Sequence, residues 1–374
     1  MRRAALVVVG IVLLGTARRS GAEPWTVTME GGGEADSNVS RVDSGSPTAR
    51  TAAPVARAGA RIDHKDRVLG GAYVLGLSGL ARFVGSRDIE DENVMLYTGD
   101  ARWLRVIAAR PLAIGFGVTA ADSSAIGGGV GARTFRNLGA DILLALGNGA
   151  ERHLLLAVGG RDFSYKRGHI FDWRGPTVSA RLDLLLWQPQ SKTRTLELAA
   201  TLGFESRRYN SNALTNSCPP SAPATELCST GTSLTRYDRY QRAGAEINWT
   251  GEIVATAGYQ LTAIDSNSYG QSLVRHRILA SATTELIDKL FGTVTATLQL
   301  DRYPDGLLVA NDVTLQEFTN LEDDSRSSLQ IRIARELTTA WSLEVRGAVW
   351  RDLGNPGAAA FRRELAYAGV IYSR

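Results

Sequence analysis

Apolar and polar residues alternate with a period of two through long stretches of this chain. In 193–204, Leu196, Leu198, Ala200, Leu202 and Phe204 interleave with Thr195, Glu197, Ala199, Thr201 and Gly203. In 178–186, Val178, Ala180, Leu182, Leu184 and Leu186 stand against Ser179, Arg181 and Asp183. In 291–301, Val294, Ala296, Leu298 and Leu300 stand against Thr293, Thr295, Thr297, Gln299 and Asp301. Successive side chains of a strand point to opposite faces, so each stretch predicts a strand with one apolar and one polar face. The stretches run to about ten to fifteen residues, against about five or six in soluble sheets. A tilted strand crossing a hydrocarbon layer needs about nine to eleven, with overhangs.

The connections alternate as well. Short turns are predicted at 64–67, 110–111, 147–150, 188–192, 249–252, 286–289 and 337–340. Longer polar or Gly-rich loops fall near 43–53, 86–92, 122–131, 167–175, 210–235, 265–270, 304–324 and 352–357. Seven turns and eight loops divide the chain into about sixteen strands with both ends on one side. Poor alternation in 68–84 and 93–108 leaves fourteen or eighteen open. In this pattern the chain resembles the up-and-down transmembrane β-barrels of bacterial outer membranes. The resemblance implies an all-β antiparallel barrel with short periplasmic turns and long extracellular loops. At the carboxy end, Gly369 and Tyr372 resemble the terminal signal recognised by the barrel-assembly machinery, although such signals finish on an aromatic residue and this chain finishes on Arg374.

The amino end fits an exported protein. Arg2 and Arg3 precede an apolar run from Ala4 to Leu14 and a small-residue site, Ser20-Gly21-Ala22. Residues 1–22 read as a signal peptide for the general secretory pathway, leaving 23–374 as one barrel domain. The run is too short for a helix crossing a bilayer, which takes about twenty residues. Residues 1–22 hold four Arg and no acid, so the basic total falls from 42 to 38, against 38 acidic. A neutral mature chain gives no reason to expect nucleic acid as a partner. Cys218 and Cys228 lie in a Ser-, Thr- and Pro-rich stretch of a chain bound for an oxidising space, which predicts a loop-closing disulfide. No histidine or further cysteine lies near enough to complete a metal site.

In such a barrel the polar member of each alternating pair faces the lumen, because an Arg near the midplane on the lipid side costs about 2–4 kcal/mol. The predicted lining is Arg57, Arg61, Arg102, Arg161, Arg181, Asp183, Arg242, Glu246, Arg275, Arg277, Asp301, Arg332, Glu344 and Arg346. Glu30, Asp63, Asp100, Asp141, Glu197, Glu205, Arg207 and Glu285 share that face, so arginines and acids match in number. Gly115, Gly117, Gly159 and Gly258, with Thr119, Thr256 and Thr262, are expected to leave the lumen room. Trp25, Trp103, Trp187, Trp249 and Trp341 fall near turn ends and suit an interfacial girdle, though strict alternation counts Trp187 inward. Asp36-Ser37-Asn38 reads as a turn, and the acidic runs 88–92 and 322–324 as solvated loops rather than calcium sites.

None of His64, His153, His169 or His276 has a Ser or Asp at the spacing of known barrel hydrolases, so no catalytic residue, cofactor or metal is expected. Sixteen strands are wide enough for an aqueous channel. Two other readings stay open: a charge lattice that braces the wall, or a loop folded inward. The Arg and acid lining resembles that of single-domain barrels that secrete exopolysaccharide, some of which work with a separate polysaccharide-export protein. That resemblance would give Arg181, Arg242, Arg275, Arg277, Arg332 and Arg346 the task of contacting a sliding polymer. A general diffusion porin and a non-transport assembly or adhesion barrel are the alternatives. The expected surroundings are outer-membrane lipid and lipopolysaccharide.

Overall fold

Sixteen antiparallel strands among the described residues close into a barrel, each hydrogen-bonded to its sequence neighbours and the first to the last. The computed structural model describes residues 25–39, 51–86, 92–107, 111–126, 134–147, 151–166, 168–191, 193–221, 228–305, 326–351 and 361–374. The predicted signal peptide, the loop core at 306–325 and most of both acidic runs lie outside them. The strands are β1 (Trp25–Asp36), β2 (Ala53–Val68), β3 (Gly71–Val84), β4 (Val94–Val106), β5 (Leu112–Ala125), β6 (Phe135–Gly147), β7 (Arg152–Tyr165) and β8 (Trp173–Trp187). They continue with β9 (Thr195–Asn216), β10 (Ser229–Thr250), β11 (Ile253–Ser266), β12 (Leu273–Ile287), β13 (Leu290–Arg302), β14 (Ser327–Glu336), β15 (Trp341–Arg351) and β16 (Arg362–Ser373). The seam is made by β1 and β16, from Thr28 opposite Ser373 to Asp36 opposite Leu365. Closure pairs every strand on both edges, so no open edge remains.

One turn is tighter than the sequence pattern predicts, while the turn at 337–340 falls where it was expected. The polar run at 64–67 is not a turn; β2 continues to Val68, and the chain reverses at Leu69 and Gly70, both with positive φ. A two-residue hairpin loop of this hand matches strand twist, and glycine supplies one of the two conformations without strain. The polar run misleads because strand ends outside the apolar layer carry polar residues on both faces.

The opposite error occurs at 210–235, predicted as a loop. There β9 runs on to Asn216 and β10 begins at Ser229, 22 residues each, with Ser229 opposite Asn216. The two cysteines, Cys218 and Cys228, are joined at the tip. Predicted loops at 122–131, 167–175 and 265–270 likewise lose their first or last residues to β5, β8 and β11.

Which face is inside follows from burial. Asp36, Arg82 and Arg363 have side chains 0–2% exposed, which on a closed barrel places them within. Register carries that parity around the wall and returns to its starting face at β16. The opposite face is an apolar belt: Phe116, Ile142, Val158, Leu202, Ile331 and Val345, on β5, β6, β7, β9, β14 and β15, are each at least half exposed. A continuous apolar surface of this kind is a lipid-facing surface, since soluble monomers rarely expose patches beyond a few hundred Å².

Trp187 joins the outward tryptophans. A register shift between Leu185 and Trp187 sets Trp187 opposite Leu196, and its ring stacks on Trp249 at 5.8 Å. The irregularity adds one residue to β8, which reverses the face expected by counting.

Candidate channel lumen

The inner face begins with ion pairs on adjacent or alternate residues, because neighbouring inward positions lie close enough for an arginine to reach a carboxylate. Arg57 reaches Glu30 at 2.9 Å, and Arg61 reaches Asp63 at 2.6 Å. Arg161 forms a forked pair with Asp141, 2.9 and 2.8 Å. Arg181 bonds Asp183 at 2.9 Å. Arg275 grips both oxygens of Asp301 at 2.9 and 2.8 Å. Arg332 and Arg346 share Glu344 at 2.6 and 3.8 Å, while Arg242 and Arg207 share Glu205 at 3.2 and 2.7 Å. Glu246 accepts from the Asn248 amide at 2.8 Å. Register places Arg102 and Arg277 on the same face. Most of these charges are thus answered on their own or the next strand, and the pairs do not separate the two signs across the lumen.

Exposure of these pairs changes along the barrel axis. In the turn-side half and the middle, Arg61, Arg181, Arg332 and Arg242 are 50, 47, 46 and 41% exposed, although they point inward. Such exposure belongs to a solvent-filled vestibule. Toward the loop end it collapses. Arg82 reaches Glu34 at 2.9 Å and Asp36 at 3.3 Å, and Arg363 reaches Asp36 at 2.8 Å, all within packed surroundings. The Asn38 backbone amide donates to Asp36 at 2.9 Å, so the predicted turn at 36–38 is part of this cluster, with Asn38 and Val39 fully buried.

Across the barrel, on β4 and β6 to β9, a second cluster packs Val94, Leu96, Phe135, Phe163, Tyr165, Trp173 and Tyr209 on the inner side of the wall. Arginines lie on these rings. Arg207 sits 4.2 Å from the Trp173 ring centre and 3.8 Å from that of Tyr240. Arg236 covers Tyr209 at 4.3 Å and pairs with Asp238 at 2.7 Å. Near the seam Arg363 covers Trp350 at 4.5 Å. A guanidinium over an aromatic face keeps electrostatic stabilisation while excluding water. The loop end of the lumen is therefore a packed collar of arginine, acid and aromatic side chains.

Sequence reasoning did not anticipate this collar. The alternation sends the apolar member of each pair to lipid, a rule that holds only where lipid is outside. Above the apolar belt, Phe163 and Trp173 gain by packing inward, stacked at 5.8 Å. Arg82 was hidden within Ala81-Arg82-Phe83-Val84, where both faces hold apolar residues.

One further expectation is corrected. Gly115 and Gly159 were expected to widen the lumen, but a Cβ at either would strike the backbone carbonyl of Trp103 or Ala140 on the neighbouring strand. They permit close, coiled strand approach. Gly369 faces inward beneath Tyr367, whose hydroxyl occupies the space a side chain there would need. Tyr372 faces outward against Trp341, ring centres 5.0 Å apart.

Of the histidines, His64 faces outward between Trp25 and Tyr73, accepting or donating at 2.8 Å with the Tyr73 hydroxyl. His276 bonds Tyr259 at 2.8 Å on the same outer surface, and His169 bonds Asp172 at 2.9 Å in a single 3-10 turn, His169–Phe171. His153 starts β7 on the inner face.

Neither a protein-family profile nor any curated protein matches the sequence. Among solved structures, OmpF of Salmonella typhi in complex with daunomycin aligns over 94% of this chain and 97% of its own, with 8% identity and a TM-score of 0.47. A bacterial polysaccharide outer membrane secretin aligns over 93% and 97%, with 7% identity and a TM-score of 0.43. The siderophore receptor PirA of Pseudomonas aeruginosa aligns over 95% and 81%, with 9% identity and a TM-score of 0.39. At these values the likeness does not bear on what the lumen carries.

Proposed function

We propose that this chain is a channel of the Gram-negative outer membrane, with its turns in the periplasm and its loops outside, and that it secretes a hydrophilic polymer, a polysaccharide. The observation behind the reading is the lumen's self-neutralised wall, exposed in the turn-side vestibule and packed at the loop end. A paired guanidinium keeps N–H groups free to donate to sugar hydroxyls, and its carboxylate partner accepts from them. With the charges cancelled locally, each contact is weak and interchangeable, so a chain slides without being trapped. The vestibule opens toward the compartment from which a secreted polymer would arrive.

On this reading residues 1–22 direct export through the general secretory pathway, and Gly369 with Tyr372 is read by the barrel-assembly machinery. The apolar belt meets lipid and lipopolysaccharide, and a polysaccharide-export protein would dock at the turn end. No cofactor and no catalytic step are assigned. The test is deletion of the gene in its own host: polymer should accumulate in the periplasm and be restored by the wild-type chain. Unchanged surface polysaccharide would remove the secretion reading. A general diffusion porin is the second reading, favoured by the same lack of a net field. It predicts rapid entry of small neutral sugars in liposome swelling, whereas a channel held by its collar predicts slow entry until the collar is loosened.

A further inference from the structure

On the outward face of β14, β15, β16, β1 and β2, near the loop end, the wall carries a shallow, open groove. Ala35, Gly347 and Ala366 form a floor of small residues, and Leu329, Ile331 and Val349 form one flank of a groove of about 760 Å³. At its loop-side end stand Arg351, Arg362 and Glu364, on the same outward face because Arg351 lies opposite Arg362 and Val349 opposite Glu364. Glu364 accepts from Arg351 at 3.3 Å and from Arg362 at 2.9 and 2.6 Å through a single oxygen. Glu364 thus bridges both guanidiniums, and Nη1 of Arg351, itself buried, has no hydrogen-bond partner among the described residues. Among the described residues, two guanidiniums face one carboxylate where the apolar surface ends.

We infer that this groove seats an acyl chain of a phosphate-bearing lipid from the leaflet at the loop end, with Arg351 and Arg362 holding the phosphate. The apolar floor and the arginine fork suit the two halves of such a molecule, since guanidinium geometry matches phosphate oxygens. A second copy of the chain fits less well: a symmetric contact through the groove would bring two clusters of the same sign together, and the floor of small residues offers no ridge to fill its counterpart. The inference rests on the membrane placement proposed above, but not on any transported substrate.

Gly347 supplies the variant. A Cβ there would meet nothing within 4 Å, so Gly347→Leu extends into the groove without displacing backbone. The full chain, refolded in detergent and checked for heat-modifiable migration, is mixed with dioleoylphosphatidic acid or dioleoylglycerol, which differ only in the phosphate, and retained lipid is counted by native mass spectrometry. Phosphatidic acid should be retained about fivefold better, the effect expected of one uncompensated arginine at a membrane surface. The double variant Arg351→Gln/Arg362→Gln should reduce it to the dioleoylglycerol level. Gly347→Leu, or Ala366→Leu if the first folds poorly, should abolish retention of both, while Val158→Ala on the far wall changes nothing.

Equal retention of the two lipids, or wild-type retention by the groove-filling variants, overturns the inference. So does displacement of phosphatidic acid by excess inorganic phosphate, which would mean a headgroup-only site, or a wild-type dimer that Gly347→Leu makes monomeric. Failure of the wild type to migrate as a heat-modifiable barrel would instead count against the membrane placement itself.

Discussion

Replacing Asp36 by Asn should destabilise the barrel more than any comparable change on its exposed face. The Asp36 carboxylate is fully buried and accepts from Arg363 at 3.1 and 2.8 Å, from Arg82 at 3.3 Å and from the Asn38 amide at 2.9 Å. Those donors lie on β16, β3 and the segment after β1, so one side chain ties both sides of the closing seam. Asparagine preserves the shape but removes the charge that compensates Arg363, which has no other acid partner at such range among the described residues; Arg82 keeps Glu34 at 2.9 Å. Stranding one buried charge of a pair costs about 3–5 kcal/mol. The lower end, about 3 kcal/mol, applies because only one of the two arginines is stranded.

Urea unfolding of the barrel in lipid vesicles, followed by tryptophan emission, measures the loss. Arg363→Met retains apolar contact with the Trp350 ring and should cost less, since Asp36 still has Arg82. The double variant Asp36→Asn/Arg363→Met should lie within about 1 kcal/mol of wild type, because a buried pair replaced by uncharged groups is often neutral. The double-mutant cycle should thus give a coupling of at least about 2 kcal/mol. A single-variant loss below about 1 kcal/mol, or strict additivity, would refute the claim that this cluster holds the seam.

Three other outcomes follow from the same geometry. Glu344→Gln leaves Arg332 and Arg346 without their shared acid, so chloride permeability relative to potassium should rise about threefold in reversal-potential measurements; no change would mean that Glu344 does not face the conducting path. Reducing Cys218–Cys228 should speed hydrogen exchange in 210–216 and 229–237, with a local loss of about 2–3 kcal/mol, while exchange across β1 and β16 stays the same. Trp187→Ala should cost about 1 kcal/mol through the lost stack on Trp249, and an unaltered urea midpoint would remove Trp187 from the girdle's stabilising role.

The parts of the fold that could be read from sequence are those in which two solvents impose opposite chemistry on one strand. Arg181 and Asp183 alternating with Leu182 and Leu184 have only one arrangement in a bilayer wall, and the strand count followed from the turns and loops between such stretches. Near the ends of the strands the outer solvent is no longer lipid, and the rule loses its force. Asn210, Ser211 and Asn212 therefore looked like loop although β9 continues through them, and Phe163 and Trp173 were not expected inside. Trp187 failed for a different reason: counting by twos assumes no bulge, and a single added residue reverses every later assignment on that strand. Arg57, Arg275 and Asp301 could be placed by parity, but their pairing depends on cross-strand register, which no single strand carries. The collar needs both, which is why its most buried members, Arg82 and Arg363, gave no signal.

The paired extension of β9 and β10 has a practical consequence. Beyond Tyr209, the last residue opposite β8, β9 continues to Asn216 and rises about 20 Å at ordinary strand rise and barrel tilt. Its tip is covalently closed, and its base is continuous with the wall. A peptide grafted between Cys218 and Cys228 would be carried on a stiff mast instead of a slack tether, at a fixed height and facing. The barrel thus comes with its own display platform, one in which the grafted sequence can change while the wall beneath stays as it is.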